Sequence, residues 1–273
     1  MQSGINELLT IQAEQSALPP ALLRENTAKF LARCNWDRNQ IEAFQQEKLK
    51  ALLAHAVQNS SYYAQTIGTL VAQGAPFTEL PTINKQQLME NFDRIVTDPN
   101  LNRGMVETHL DGPRSGTLLL GKYRTVATSG TTGIRGVFIY DEPTWCDVIS
   151  VIGRAQRQTG ITAETRSIGI GAPTPLHISN RMFAERRASR PEVPRLDVTM
   201  PMDQVVSALN TFQPAAIVTY PSFIHALAQE QQQGRLKIAP KIFRTAAEAL
   251  LPEVETLAFN LWGCTVFEGY ACS

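Results

Sequence analysis

The chain reads Ala215-Ala-Ile-Val-Thr-Tyr220, then a helix-like run from Ser222 to Gln233. Next come Lys241-Ile-Phe-Arg-Thr-Ala246, a second such run from Pro252 to Trp262, and Cys264-Thr-Val-Phe-Glu-Gly-Tyr270. Short runs rich in β-branched and aromatic residues alternate here with amphipathic segments of ten residues or more. Consecutive strands joined by helices of that length call for a parallel sheet with crossover helices. Working outward, Ser167-Ile-Gly-Ile-Gly-Ala172 reads as another strand and Asp203–Phe212 as another helix. Before them, Pro143 opens a helix with Trp145, Val148, Ile149, Ile152 and Ala155 on one face. Thr117–Leu120, Tyr123–Ala127 and Val137–Tyr140 read as extended.

The first part of the chain has a different character. Asn39 followed by Glu42 reads as a capping box, and Ile41, Phe44, Leu49, Leu52, Leu53 and Ala56 recur at helical spacing to an end near Asn59-Ser60. After the link Pro76–Lys85, a second helix starts at a cap, Asn84 or Thr82, with Leu88, Met89 and Phe92 on its buried side. The Gly-, Pro- and Asn-rich run from Asn100 to Gly116 reads as loop. The expectation is an α/β protein: a mainly helical region over 1–110, then an α/β region over 111–273 with a mixed or parallel sheet.

Composition narrows the function. The 273 residues are 43% hydrophobic and 18% charged, too apolar for a disordered chain. Lys+Arg and Asp+Glu balance at 25 each, so no general attraction for nucleic acid or an anionic membrane is expected. No stretch approaches the ~18 apolar residues of a membrane span, and the N-terminus is a poor secretion signal, which points to the cytoplasm. Cys34, Cys146, Cys264 and Cys272 form no C-x-x-C pair and the four histidines lack metal-ligand spacing, so idle thiols and no metal site are expected.

The chemistry concentrates in Thr125-Val-Ala-Thr-Ser-Gly-Thr-Thr-Gly133, continuing Ile134-Arg-Gly-Val-Phe-Ile-Tyr140. Three hydroxyls (Ser129, Thr131, Thr132) and two glycines (Gly130, Gly133) fall on one turn between two extended segments. Glycine admits positive φ and close approach of a ligand, and successive amides can form an anion-binding nest. The lysine of a P-loop is absent, and Gly169-Ile-Gly171 lacks the third glycine of a dinucleotide fingerprint. By itself the turn reads equally as a phosphate cradle or as a hairpin whose hydroxyls satisfy one another.

Thr-Ser-Gly-Thr-Thr-Gly between two strands resembles the phosphate loop of the adenylate-forming superfamily, which includes acyl- and aryl-CoA ligases. Asn59-Ser-Ser-Tyr-Tyr63 and Leu80-Pro-Thr-Ile-Asn-Lys85 resemble elements of its phenylacetate-CoA ligase branch. Thr245-Ala-Ala-Glu-Ala-Leu250 and Glu268-Gly-Tyr-Ala-Cys-Ser273 resemble the family's adenine-side elements. These matches run in order over about residues 40 to 273 and imply part of the large N-terminal domain of such an enzyme.

The resemblance assigns Ser129, Gly130, Thr131, Thr132 and Gly133 to the β- and γ-phosphates of ATP and Ser273 to the α-phosphate. Ala246, Ala247 and Glu248 would line adenine by backbone contact. Glu268 would approach its amino group and Tyr270 would stack on the ring. His177 resembles a histidine beside the acyl pocket. The residues also admit plainer roles: Glu248 as a helix N-terminal carboxylate, Tyr270 as core, His177 as a packed or solvated side chain. ATP, Mg²⁺, coenzyme A and a small carboxylic acid are the implied ligands, a homodimer is one implied arrangement, and neither nucleic acid nor membrane is implied.

The sequence departs from the pattern too. Ile134-Arg-Gly136 stands where relatives carry Pro-Lys-Gly, and Ala246 and Ala271 stand where they often have glycine. The Mg²⁺-binding Glu, a ribose-binding Asp and a small C-terminal domain with a catalytic Lys would all fall past Ser273, so the chain reads as an N-terminal portion. A catalytically inactive nucleotide-binding or scaffold protein is the alternative reading.

Overall fold

Polar N-cap side chains cap four of the described helices, all in the first half of the chain. A computed structural model describes residues 18–270 except Ser129, Thr131, Thr132, Pro175 and 189–191. Helices α1 (Pro20–Ala32) and α2 (Arg38–Asn59) come first. The capping box of α2 is built by Asp37 and Gln40, not by Asn39 and Glu42: the Asp37 side chain accepts from the Gln40 amide at 2.9 Å, and the Gln40 side chain accepts from the Asp37 amide at 3.0 Å. The apolar repeat on α2 leaves Leu52 exposed.

Ser60 ends α2 and starts α3 (Ser61–Ala72), a helix absent from the sequence expectation. Its buried Oγ donates to the Arg94 carbonyl at 2.8 Å and accepts from the Tyr63 amide at 3.3 Å. The Asn59–Tyr63 motif is therefore a helix-to-helix corner. Asn84, rather than Thr82, caps α4 (Lys85–Glu90) in a full capping box with Gln87. Met89 and, on α5 (Phe92–Ile95), Phe92 are buried as expected, with Leu88 half-buried. The expected loop over 100–116 contains α6 (Arg103–Asp111), capped by Asn102 and burying Val106 and Leu110. Thr117–Leu120 forms no strand; Leu119 makes a single bridge to Tyr123.

Strands β1 (Arg124–Ala127) and β2 (Val137–Tyr140) pair antiparallel, Ala127 opposite Val137 and Arg124 opposite Tyr140. Next comes α7 (Glu142–Gln158), starting one residue before Pro143 and burying Trp145, Cys146 and Ser150. The remainder is β3 (Ser167–Gly171), α8 (Ile178–Ala188), β4 (Leu196–Asp197), α9 (Met202–Phe212), β5 (Ala216–Thr219), α10 (Pro221–Gln232), β6 (Ile242–Ala246), α11 (Pro252–Trp262) and β7 (Thr265–Gly269). The last five strands form one parallel sheet in the order β4-β3-β5-β6-β7. Helix α8 and strand β4 are additions to the sequence expectation; the rest of the alternation stands as read.

The chain divides into two compact units. One is Ala28–Glu142, which groups the β1–β2 hairpin with the helices; the other takes the chain up to Thr27 and from Pro143 onward, including the five-stranded sheet. In the second unit, Ile168, Ile217, Phe243 and Val266 lie in register across four strands and are all buried against α9, α10 and α11. The Phe243 and Trp262 rings meet at 5.2 Å. Burial pushes the Cys264 thiol up to about 11, so it is an inert packing group. No described helix is long and apolar enough to cross a membrane.

Candidate functional site

The glycine turn belongs to the helical unit. Thr128 and Gly136 close its base: the Thr128 amide donates to the Gly136 carbonyl, and the Gly136 amide to Thr128 Oγ1, both at 2.9 Å. Above that base the Gly133 amide donates to the Gly130 carbonyl at 2.8 Å, a tight turn with φ of +71° at Gly130 and +87° at Gly133. Those values suit glycine and strain any β-branched residue. A Cβ on Gly133 would meet nothing within 4 Å among the described residues, so toward them this edge of the turn is open. The hydroxyl positions Ser129, Thr131 and Thr132, and Ser273, lie outside the described residues.

Two cations attend the turn. Arg135 Nη1 donates to Asp111 Oδ1 at 2.5 Å, while Arg135 Nη2 is buried without a hydrogen-bond partner among the described residues. An acidic side chain on the last residue of a helix opposes the helix dipole, so the ion pair with Arg135 is what favours Asp111 there. Lys85, at the start of α4, brings its Cε to 3.1 Å from where a Gly136 Cβ would stand. The sequence reading quoted Lys85 within a motif but gave it no role; the signal was its place directly after the Asn84 cap. Asp111 keeps its side chain 64% exposed while Oδ1 is engaged by Arg135.

The other predicted residues belong to the sheet unit, at the carboxyl ends of its strands. Ligands of open α/β sheets bind at such ends, near the point where strand order reverses; here that point lies between β3 and β5. Ala246 pairs with Gly269 and Thr245 with Glu268, which brings the two adenine-side elements together. Ala247 holds φ at +72°, a left-handed conformation costly for a non-glycine residue. Glu248 caps a helix, but α10 rather than its own: its carboxylate accepts from the amide and the hydroxyl of Ser222, each at 3.0 Å. Glu268 Oε1 accepts from the Leu250 amide at 3.1 Å. Tyr270 is not core, because it is 96% exposed. His177 immediately precedes α8, half-buried, two strands from β6 on the same sheet. A groove of about 610 Å³ lined by Met202, Asp203, Val206, Asn210, Glu230 and Arg235 shares no residue with these elements.

No family model and no curated protein matches the chain. Among solved structures it is similar to 2-hydroxyisobutyryl-CoA ligase in the postadenylation state with 2-HIB-AMP, at a TM-score of 0.64 and 18% identity, over 83% of this chain and 47% of that one. The same ligase with 2-HIB-AMP and CoA in the thioesterification state gives a TM-score of 0.59 and 18% identity, over 85% of this chain and 49% of that one. Its open conformation gives 0.55 and 18% identity, over 81% and 51%. The chain thus shares its α/β fold with part of these structures and spans about half their length.

Proposed function

We propose that the chain carries the nucleotide-binding portion of an ATP-dependent acid–CoA ligase. In the reaction, a substrate carboxylate oxygen attacks the α-phosphorus of ATP, the bond to pyrophosphate breaks, and an acyl-adenylate forms. The coenzyme A thiol then adds to the acyl carbon, releases AMP and loses its proton. Such chemistry asks the protein chiefly for in-line positioning and charge stabilisation.

The observation that carries the reading is the Gly130–Gly133 turn, with an edge open toward the described residues and, beside it, a buried guanidinium nitrogen unpaired among them. The turn's amides and hydroxyls, with Ser129, Thr131 and Thr132, take the β- and γ-phosphates, and Arg135 and Lys85 neutralise them. Ser273 takes the α-phosphate. The backbone at Ala246, Ala247 and Glu248 borders adenine, with Glu268 at its amino group and exposed Tyr270 free to stack. His177 borders the acid. The Mg²⁺-binding Glu falls past Ser273, as the resemblance implies. The Asn59–Tyr63 and Leu80–Lys85 elements support the phenylacetate-CoA ligase branch; the resemblance to that branch carries the homodimer, and the balanced charge and weak N-terminal signal carry the cytoplasmic location.

A catalytically inactive nucleotide-binding or scaffold protein is the second reading, favoured by Ile134-Arg135 in place of Pro-Lys. The test is calorimetric titration of ATP and AMP into the wild-type chain and Gly130→Val. The expected result is saturable binding of both, with ATP weakened about tenfold or more in the variant, the scale of one or two lost charge-assisted hydrogen bonds. ATP binding without pyrophosphate exchange in the presence of acids would favour the second reading. No nucleotide binding would end the ligase reading and leave only the scaffold.

A further inference from the structure

Ala247, the residue after β6, carries a side chain at a φ of +72°. A Cβ at such a value costs stability, and the conformation persists only where the surroundings over-determine the backbone. Ala247, Glu248 and Ala249 are all exposed, so core packing does not hold them there. Polar ties do. Before the strained residue, Ala246 sits in the ladder opposite Gly269 of β7. After it, Glu248 reaches across to α10 with both carboxylate oxygens engaged: Oε2 accepts from the Ser222 amide and Oε1 from the Ser222 hydroxyl, each at 3.0 Å. Two residues further on, the Leu250 amide donates to Glu268 Oε1 at 3.1 Å, which returns the loop to β7.

Of these ties, the one to Ser222 is the strongest. Helix α10 opens on Pro221, and its N-cap residue, Tyr220, supplies no side-chain cap. Glu248 fills that role from 26 residues further along the chain. A carboxylate at a helix N-terminus meets the positive end of the dipole, and hydrogen bonds to an ionised acceptor are about twice as strong as neutral ones. Two such bonds outweigh one left-handed residue, so the latch sets the conformation of Ala247 and not the reverse. The strained backbone lies at the carboxyl end of β6, where open α/β sheets take their ligands.

Resting on the ligase reading, we infer that Ser222 is a positioning residue for the nucleotide: by holding Glu248 it keeps Ala247 left-handed and so presents the 246–248 backbone to the adenine ring. Ser222 acts through Glu248 and not by touching the ligand. The test is calorimetric titration of AMP into the full chain and its variants, each checked for folding by a thermal melt. Ser222→Ala keeps the amide donor but loses the hydroxyl, and weakens AMP about threefold to tenfold, the scale of one hydrogen bond. Ser222→Thr keeps the hydroxyl and binds AMP as the wild type does. Glu248→Ala loses both bonds and weakens AMP about tenfold or more. The decisive variant adds Ala247→Gly to Glu248→Ala. Glycine takes positive φ readily, so most of the lost AMP affinity returns although the latch is gone. If Glu248→Ala fails to fold, Ser222→Ala with and without Ala247→Gly makes the same comparison. A role confined to capping α10 would lower the melting temperature of Ser222→Ala and Glu248→Ala and leave AMP affinity unchanged. That result, or a loss of affinity that Ala247→Gly does not restore, overturns the inference and leaves the ligase reading standing. A wild-type chain that binds no AMP overturns the ligase reading and the inference with it.

Discussion

The two faces of one sheet are made by the same four strands, yet they differ in kind. The face under α9, α10 and α11 is closed: Ile217 and Phe243 are fully buried and their neighbours form one apolar cluster. The face bearing Gly169, Val218, Arg244 and Phe267 is half-buried at all four positions. Parallel sheets ordinarily bury both faces. On this face Phe183 covers Gly169 and Tyr220 reaches the Ala172 amide, so its cover is local, whereas the apolar packing of the unit concentrates on the closed face.

The largest effect expected of that division is a contrast between two truncations. Phe243→Ala opens a cavity in the closed cluster and lowers unfolding free energy by about 3–5 kcal/mol. Val218→Ala, one residue position away in register but on the half-buried face, costs no more than about 1 kcal/mol. Denaturant melts of the two variants check this; equal losses would mean both faces are packed alike. A smaller effect tests the strained corner after β6. Ala247→Gly relieves the positive φ and raises stability by about 1 kcal/mol, a gain of a few degrees in Tm. An unchanged or lower Tm would remove Ala247 as a site of stored strain.

How much of this was legible in the sequence depended on range. The strands β3, β5, β6 and β7 and the helices between them carry their own periodicity, so their order could be read directly. Asn84 signalled α4 through a local Asn-x-x-Gln pattern. Helix α6 was missed because Gly104, Gly112 and Pro113 outweighed Asn102 as cap and the Val106–Leu110 pair one turn apart. Helix α8 is polar, and its one decisive contact, Phe183 over Gly169, is tertiary. For the candidate site, the positive φ at Gly130 and Gly133 could be expected from the glycines themselves, whereas the Ala246–Glu248 and Glu268–Tyr270 elements were singled out only by resemblance.

The central claim is that the Gly130–Gly133 turn grips the phosphates of ATP. Amide hydrogen exchange with and without saturating ATP tests it most directly. The account expects exchange to slow in the segment 128–136 and in the segments around Ala246 and Tyr270, with the turn losing that protection when AMP replaces ATP. ATP that binds while leaving the 128–136 amides exchanging as fast as in the free chain would contradict it.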